Sequence, residues 1–402
     1  MNHSSNLWSS AEWDTFLKEN PKFSGIAIQH IPRTASTIRG GIPCALQAYL
    51  ESGVYHVVLK LLFADNTTWA CRIRRRDPDE HPEYVKSTME STVATMRYVK
   101  NRTTLPVPTV HHYESDPSAT QINAAYMLMD FVPGHKREQN SQDITVEQLE
   151  KIYDQIADLT LKLAQLQFPL IGQLYHDNKG NCKVGPFYNR DGSTDGPFST
   201  SVEYYRYLVE RHATKPADPS LTELESKNKP FAIHLYRKAT SSMDLADTGP
   251  FGLSHRDHGV HNLLWDENLV LTGILDWESA CVAPVLECCN WPPLVEIRWA
   301  YIESDRPYHP PVLERILLKQ KLFLEGVKKA EKRQKKEDVV KFGGKLMSEI
   351  VGSDQPIIAQ ILGVLDYDPT YRWYDGKRVF EYLYGTEADF EASRDSFLNS
   401  AP

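Results

Sequence analysis

No run of apolar residues in this sequence approaches the ~20 that a membrane-spanning helix requires, so no transmembrane segment is expected. The six cysteines, at positions 44, 71, 182, 281, 288 and 289, include no Cys-x-x-Cys pair. A zinc ribbon or a disulfide framework is therefore not expected, and the thiols read as the reduced thiols of a cytoplasmic protein. The opening residues Met1 to Asn6 lack the basic-then-apolar profile of a secretory signal, and Asn399 to Pro402 form no lipidation or peroxisomal address. Positive charge is in deficit: 45 Lys and Arg against 53 Asp and Glu give a net charge of -8. A field of that sign repels a phosphate backbone, which argues against nucleic acid as the main partner. There is no G-x-S-x-G elbow, no Walker G-x-x-x-x-G-K-[ST] loop and no internal repeat.

What is present is a chain of 402 residues with the apolar and aromatic content of a globular protein, long enough for two or three domains or one large unit in two parts. Tyr55 to Phe63 is rich in β-branched and aromatic residues, Ala64 to Thr67 supplies a turn, and Trp69 to Ile73 alternates. A hairpin is predicted, with Arg72 and Arg74 on one face because strand side chains alternate with period 2. Pro82 to Lys100 fits a helix carrying Glu90, Val93, Met96 and Arg97, stopped by Leu105-Pro106-Val107-Pro108. Two strands follow, Thr109 to Tyr113 and Ala125 to Val132, before Pro133-Gly134 breaks the chain.

Beyond that break the pattern becomes helical. Thr145 to Gln165 places Leu149, Ile152, Tyr153, Ile156, Leu159 and Leu163 on one face, with Thr145 and Gln148 forming a capping box. Asn178 to Pro197 reads as a loop, Ser201 to Asp244 as one or two helices, and the charged run Lys319 to Asp338 as a solvated helix face. Arg74, Arg75 and Arg76 read as solvated charge, and Met127, Met129, Cys288 and Cys289 as packing residues.

The chemistry concentrates between residues 253 and 278. His255, Asp257 and Asn262 are followed by a strand, the turn Asp266-Glu267-Asn268 and a second strand ending at Asp276. A hairpin there brings Asp257, Asn262 and Asp276 toward one edge. Two carboxylates and an amide oxygen are hard ligands suited to magnesium, which keeps several waters and is completed by substrate phosphates. His255, His258 and His261 recur at every third position, but the turn-rich Asp-His-Gly context is unlike a metal-presenting helix, so zinc is disfavoured.

The pattern His255-x-Asp257-x-x-x-x-Asn262, then Ile274-Leu275-Asp276-Trp277-Glu278, resembles the catalytic and metal-binding loops of the aminoglycoside phosphotransferase and choline kinase group of protein-kinase-like enzymes. Trp69 to Ile73 is similar to the strand carrying a phosphate-contacting cation, Glu90 to the helix carboxylate paired with it, and Tyr126 to Gly134 to the adenine-binding hinge. The resemblance spans about residues 50 to 290, and the Asp-Trp-Glu loop is similar to that of fungal-type members.

That resemblance implies an α+β fold in two lobes: an N-terminal five-stranded antiparallel sheet plus helix over residues 41–132, and a larger helical lobe over 133–402, preceded by an extension over 1–40 with no assigned role. It implies Asp257 as the base that accepts a hydroxyl proton, with His255 bracing its loop. Asn262 and Asp276 would hold magnesium on ATP, Arg72 would contact phosphates and be held by Glu90, backbone groups from Asp130 to Val132 would bind adenine, and the turn at Gly53 would cover the phosphates. The implied activity is Mg-ATP-dependent phosphorylation of a small-molecule hydroxyl, and the net charge suits an amine-bearing substrate. A protein substrate is disfavoured because no D-F-G to A-P-E activation segment follows Asp276. A pseudokinase that binds nucleotide or a protein partner is the alternative, since the phosphate turn holds only Gly53 and an arginine stands where lysine is usual.

Overall fold

The computed structural model describes residues 15–16, 18–53, 55–137, 144–177, 179–214, 223–242, 248–292, 295, 310–335, 338–353, 359, 361–362, 372–386 and 388–400. Backbone packing divides the chain into two units. The first draws its described residues from Met1–Arg137, Gln173–Asp195 and His261–Ala280, and the second from Glu138–Gly172, Gly196–Val260 and Cys281–Pro402.

Five antiparallel strands form the sheet of the first unit: β1 (Cys44–Ser52), β2 (His56–Phe63), β3 (Thr68–Arg74), β4 (Val110–Glu114) and β5 (Tyr126–Asp130), in the order β1-β2-β3-β5-β4. The helix Pro82–Arg102 joins β3 to β4. Its N-cap is His81, whose ring nitrogen accepts the Glu83 N–H, and Pro82 stands at N1 where a missing N–H costs nothing. Alternation gives the sheet two different faces. Val57, Leu59, Leu61 and Phe63 of β2, Trp69, Cys71 and Ile73 of β3, and Tyr126 and Leu128 of β5 join one buried cluster. Phe16, Phe23, Ile26, Ile28, Ile31 and Ala35 complete that cluster. Part of the N-terminal extension is therefore core: the helix Ile31–Ile38 and the residues before it cover the sheet.

On the opposite face the register places Lys60 beside Ala70 and Met129, Val58 beside Arg72 and Met127, and His56 beside Arg74. This face carries the polar residues that matter below. The stretch Asn178 to Pro197, read from sequence as a loop, instead contributes to two hairpins, β6 (Gln173–His176) with β7 (Cys182–Gly185) and β8 (Phe187–Tyr188) with β9 (Thr194–Asp195). Their turns carry Gly180 and Gly192, at φ of 78° and 86°.

The second unit is mainly helical. Val146–Ala164 forms the expected helix with its Thr145/Gln148 capping box, burying Leu149, Ile152, Tyr153 and Ile156 completely. It packs on Pro310–Arg333, where Lys329 and Arg333 pair with Glu150 and Asp154 at 2.5 and 3.0 Å. Between 201 and 244, where one or two helices were anticipated, there are two, Ser201–Thr214 and Glu223–Ser242, and residues 215–222 between them lie outside the described residues. The short strands β10 (Gly252–Ser254) and β13 (Cys281–Ala283) pair antiparallel. Among the described residues no helix is long and apolar enough to cross a membrane.

Candidate active site

In the first unit, β11 (Leu263–Trp265) and β12 (Leu271–Ile274) form the predicted hairpin around Asp266-Glu267-Asn268. The Asp266 carboxylate accepts the N–H groups of Asn268 and Val270 at 2.9 and 2.8 Å, which fixes the turn. Leu263 pairs with Ile274, and the Leu275 N–H donates to the Asn262 carbonyl at 2.8 Å. Asn262 and Asp276 accordingly flank the same end of the hairpin. The hairpin is anchored through His135, which exchanges backbone bonds with Trp265, and through the Pro106 carbonyl, which accepts the Ile274 N–H at 3.0 Å. Gly134 is needed there: at φ of 148°, an added Cβ would stand 2.6 Å from the Thr272 Oγ1.

Asp276 adopts a left-handed conformation, φ 57° and ψ 66°, uncommon for a residue other than glycine. The neighbouring Trp277 explains how it is held, since its buried indole N–H donates to the Ile274 carbonyl at 2.9 Å. The turn presents the two acids differently. The Asp276 side chain is 42% exposed, whereas that of Glu278 is 18% exposed.

Both acids meet the arginines of β3. The Arg72 Nη2 lies 2.6 Å from the Asp276 Oδ1 and 3.2 Å from the Glu278 Oε2. Arg74 donates to the Glu278 Oε1 at 2.5 Å and to both oxygens of Glu80 at 2.9 and 3.3 Å. The His56 Nε2 lies 3.3 Å from the Glu278 Oε2. Burial pushes the Glu278 carboxyl up, but His56, Arg72 and Arg74 outweigh it and hold the group at about 2. Burial, aided by Arg72, pushes the His56 imidazole well below its ordinary range. Burial and the arginines thus outweigh the pull of Glu278 on His56, and the two guanidinium groups carry the lasting positive charge of the cluster.

Two sequence expectations change here. Arg72 does not pair with Glu90, which instead accepts the Ser115 hydroxyl at 3.1 Å. The β3 pleat aims Arg72 at the 276–278 turn, so the acids that meet it come from that turn. Arg74 is not solvated charge: it is buried, and its desolvation is offset by two carboxylates. Arg75 is half-buried on Asp77 at 2.8 Å, and Arg76 is exposed. Glu278, Glu80, Arg74 and His56 were not singled out from sequence as site residues. The available signal was the shared face of Arg72 and Arg74, which called for more than one acid.

At the end of β5, Asp130 is tied into the structure: its N–H donates to the Thr109 carbonyl, and its carboxylate accepts the Thr109 N–H at 2.8 Å and His111 Nε2 at 2.7 Å. The Val132 N–H, by contrast, has no hydrogen-bond partner among the described residues. Met127 and Met129 are buried as expected. The Gly53 N–H donates to the His56 carbonyl at 2.8 Å, closing the β1–β2 turn, and Val54 of that turn lies outside the described residues.

The second unit holds His255 and Asp257. His255 is fully buried, and its Nδ1 accepts the Asp257 N–H at 3.3 Å. Arg256, at φ of 62°, donates to Glu287 at 2.5 Å and to the Tyr204 hydroxyl. These bonds hold the backbone on both sides of Asp257, whose side chain is half-buried. Burial pushes the His258 imidazole down to about 3. Cys288 and Cys289 are buried, with their thiols pushed up by burial, which fits packing and not nucleophilic chemistry.

For a metal, Asp276 offers an accessible carboxylate and Asn262 an amide at the same hairpin end. This donor set fits a magnesium ion that takes one or two protein oxygens and completes its shell with water and phosphate. Among the described residues no cluster of three or more His, Cys, Asp or Glu side chains forms an all-protein cage.

The model of the phosphotransferase enzyme family matches residues 51–287, more than half of the chain. Among curated proteins, a subtelomeric hrmA-associated cluster protein of Aspergillus fumigatus is 36% identical over 89 residues, 22% of this chain and 17% of that protein. Clavilactone A biosynthesis cluster protein Y of Ampulloclitocybe clavipes is 26% identical over 227 residues, 51% of this chain and 53% of that protein. The chain therefore spans about half or less of the length of these relatives. Among solved structures, the macrolide 2'-phosphotransferase MphH of Brachybacterium faecium is similar with a TM-score of 0.43 and 12% identity, over 92% of this chain and 98% of that one. Amicoumacin kinase hAmiN, solved in complex with AMP-PNP, Ca2+ and Ami, is similar with a TM-score of 0.45 and 11% identity, over 95% and 94%.

Proposed function

The chain belongs to the phosphotransferase enzyme family, with its α+β, protein-kinase-like fold, and we propose that it transfers the γ-phosphate of Mg-ATP to a hydroxyl of a small molecule. The observation that carries this reading is the hairpin end where the exposed Asp276 carboxylate stands beside Asn262 and within 2.6 Å of Arg72. Asp276 and Asn262 would hold magnesium, which when bound neutralises charge on the ATP phosphates. Arg72 would meet the phosphates directly, its fork suited to bidentate contact with phosphate oxygens. The unengaged Val132 N–H would donate to adenine, with the backbone of Asp130 beside it and Gly53 in the turn over the phosphates.

Asp257 would accept the proton of the substrate hydroxyl as it attacks phosphorus. His255, buried and bonded to the Asp257 N–H, would fix the direction of that carboxylate. The chain's net charge of -8 favours a cationic, amine-bearing substrate. The six unpaired thiols favour work in the cytoplasm. A catalytically weak nucleotide-binding protein is the second reading, favoured by a phosphate turn that holds only Gly53, with its N–H already committed to His56.

Calorimetry of ATP binding with and without magnesium, on wild type and Asp276→Ala, tests the site. The proposal expects magnesium-dependent binding in wild type that falls at least about tenfold in the variant, the loss of one charged ligand being worth more than 1.4 kcal/mol. Binding that ignores both magnesium and Asp276 supports the second reading. No binding in wild type removes both.

A further inference from the structure

A guanidinium on a four-bond stem has many rotamers, and one that must meet phosphates needs a partner to hold its direction. The partner in this chain is not on the helix Pro82–Arg102, where Glu90 is bonded to Ser115. It is Glu278. One carboxylate oxygen of Glu278 takes the Arg74 Nη1 at 2.5 Å, and the other takes the Arg72 Nη2 at 3.2 Å and the His56 Nε2 at 3.3 Å. Every one of these donors comes from the same sheet face, His56 and Arg74 being register partners and Arg72 standing two residues from Arg74.

Arg74 is itself fixed from the other side by both oxygens of Glu80. Glu80 also lies 3.5 Å from Arg190, which is bonded to Asp77 at 2.8 Å. Glu278 is thus clamped by an immobile cation before it touches Arg72. We propose that Glu278 is the positioning residue for Arg72, doing in this chain what a helix carboxylate does elsewhere in kinase-like sites, and that the two acids of the Asp276-Trp277-Glu278 turn divide their work. The exposed Asp276 is left for the metal and phosphates, while the enclosed Glu278 keeps Arg72 aimed. Arg72 holds both carboxylates, so it retains one partner when Asp276 is engaged by another group. This inference rests on the phosphotransferase reading, because it assigns Arg72 a phosphate to meet.

The test is a double-mutant cycle on Mg-ATP binding by calorimetry, with Glu278→Gln, Arg72→Gln and the pair. If Glu278 acts through Arg72, Glu278→Gln weakens Mg-ATP by about tenfold or more in wild type, yet by less than about twofold once Arg72 is already glutamine. Equal losses in both backgrounds mean that Glu278 serves stability alone, and they overturn the inference while leaving the phosphotransferase reading intact. No Mg-ATP binding by wild type overturns both. Glu278→Gln leaves the buried Arg74 short of one acid, so the same cycle run on an Arg74→Met, Glu80→Gln background removes that cation together with the buried acid it would orphan and keeps the outcome readable if the single variant does not fold. A Glu90→Gln variant that loses more Mg-ATP affinity than Glu278→Gln would also overturn the assignment.

Discussion

At the scale of single residues, the polar face of the sheet couples stability to pH. Glu278 sits near 2 in the folded chain against an ordinary glutamate value of 4.5, so its ionised form is the one that folding favours. Its contribution is fully present above about pH 4.5 and is lost as pH falls toward 2, on the order of 3 kcal/mol over that window. His56 is shifted downward too, so folding favours its neutral form, and stability begins to fall once the pH drops below about 6.5. Urea unfolding between pH 7 and 3 is expected to show both losses. His56→Gln, which cannot take a proton there, reduces the limb between about pH 6.5 and 5 to the share left by the buried His258, while leaving the lower limb in place. A wild-type midpoint that does not move between pH 7 and 5 contradicts the buried neutral imidazole.

At the scale of elements, periodicity and turn chemistry made much of the fold legible. The β2–β3 hairpin, the helices 82–102 and 146–164, and the hairpin before Asp276 all follow from alternation, capping and proline placement. Two things did not follow. The segment from Asn178 to Pro197 looked irregular because the strands it contributes to are only two to four residues long, too short for alternation to register against glycine-rich turns. Residues 1–40 looked unassigned because the described apolar residues among them are spread over short helical turns, and only the tertiary structure shows Phe23 and Ile31 fully buried against the sheet. Phe23→Ala is accordingly expected to destabilise the first unit by about 3–5 kcal/mol, as a large ring removed from a closed core. Thermal unfolding measures it, and a shift within the noise of a surface substitution would show that this segment is not part of the core.

The site itself was partly legible for a related reason. Asn262 and Asp276 could be placed near one another because a hairpin is a local rule applied over few residues, and the strand pleat likewise put Arg72 and Arg74 on one face. The partner of Arg72 could not, because Glu90 and Glu278 are both plausible acids and the choice depends on where a sheet face and a turn meet, 204 residues apart in sequence for Arg72 and Asp276. The burial of Arg74 is the same kind of fact: three consecutive arginines read as solvent-facing, and only the pairing with Glu80 and Glu278 shows one of them inside.

At the scale of the whole molecule, the chain belongs to the phosphotransferase enzyme family, and each of its two units carries its own part of the candidate site residues. Asn262, Asp276 and Arg72 lie in the first and Asp257 and His255 in the second. Phosphoryl transfer asks the protein mainly for positioning and charge neutralisation, which leaves the base as the residue whose loss separates chemistry from binding. The most direct measurement is 31P NMR of the chain with Mg-ATP and a panel of small hydroxylated amines, for wild type and Asp257→Asn. The account predicts a new phosphomonoester signal with at least one member of the panel, appearing about 10²–10⁴-fold more slowly in the variant while Mg-ATP still binds. A phosphomonoester formed equally fast by both proteins would contradict the role of Asp257, and Mg-ATP binding with no phosphoester from any hydroxyl acceptor would contradict the transferase itself.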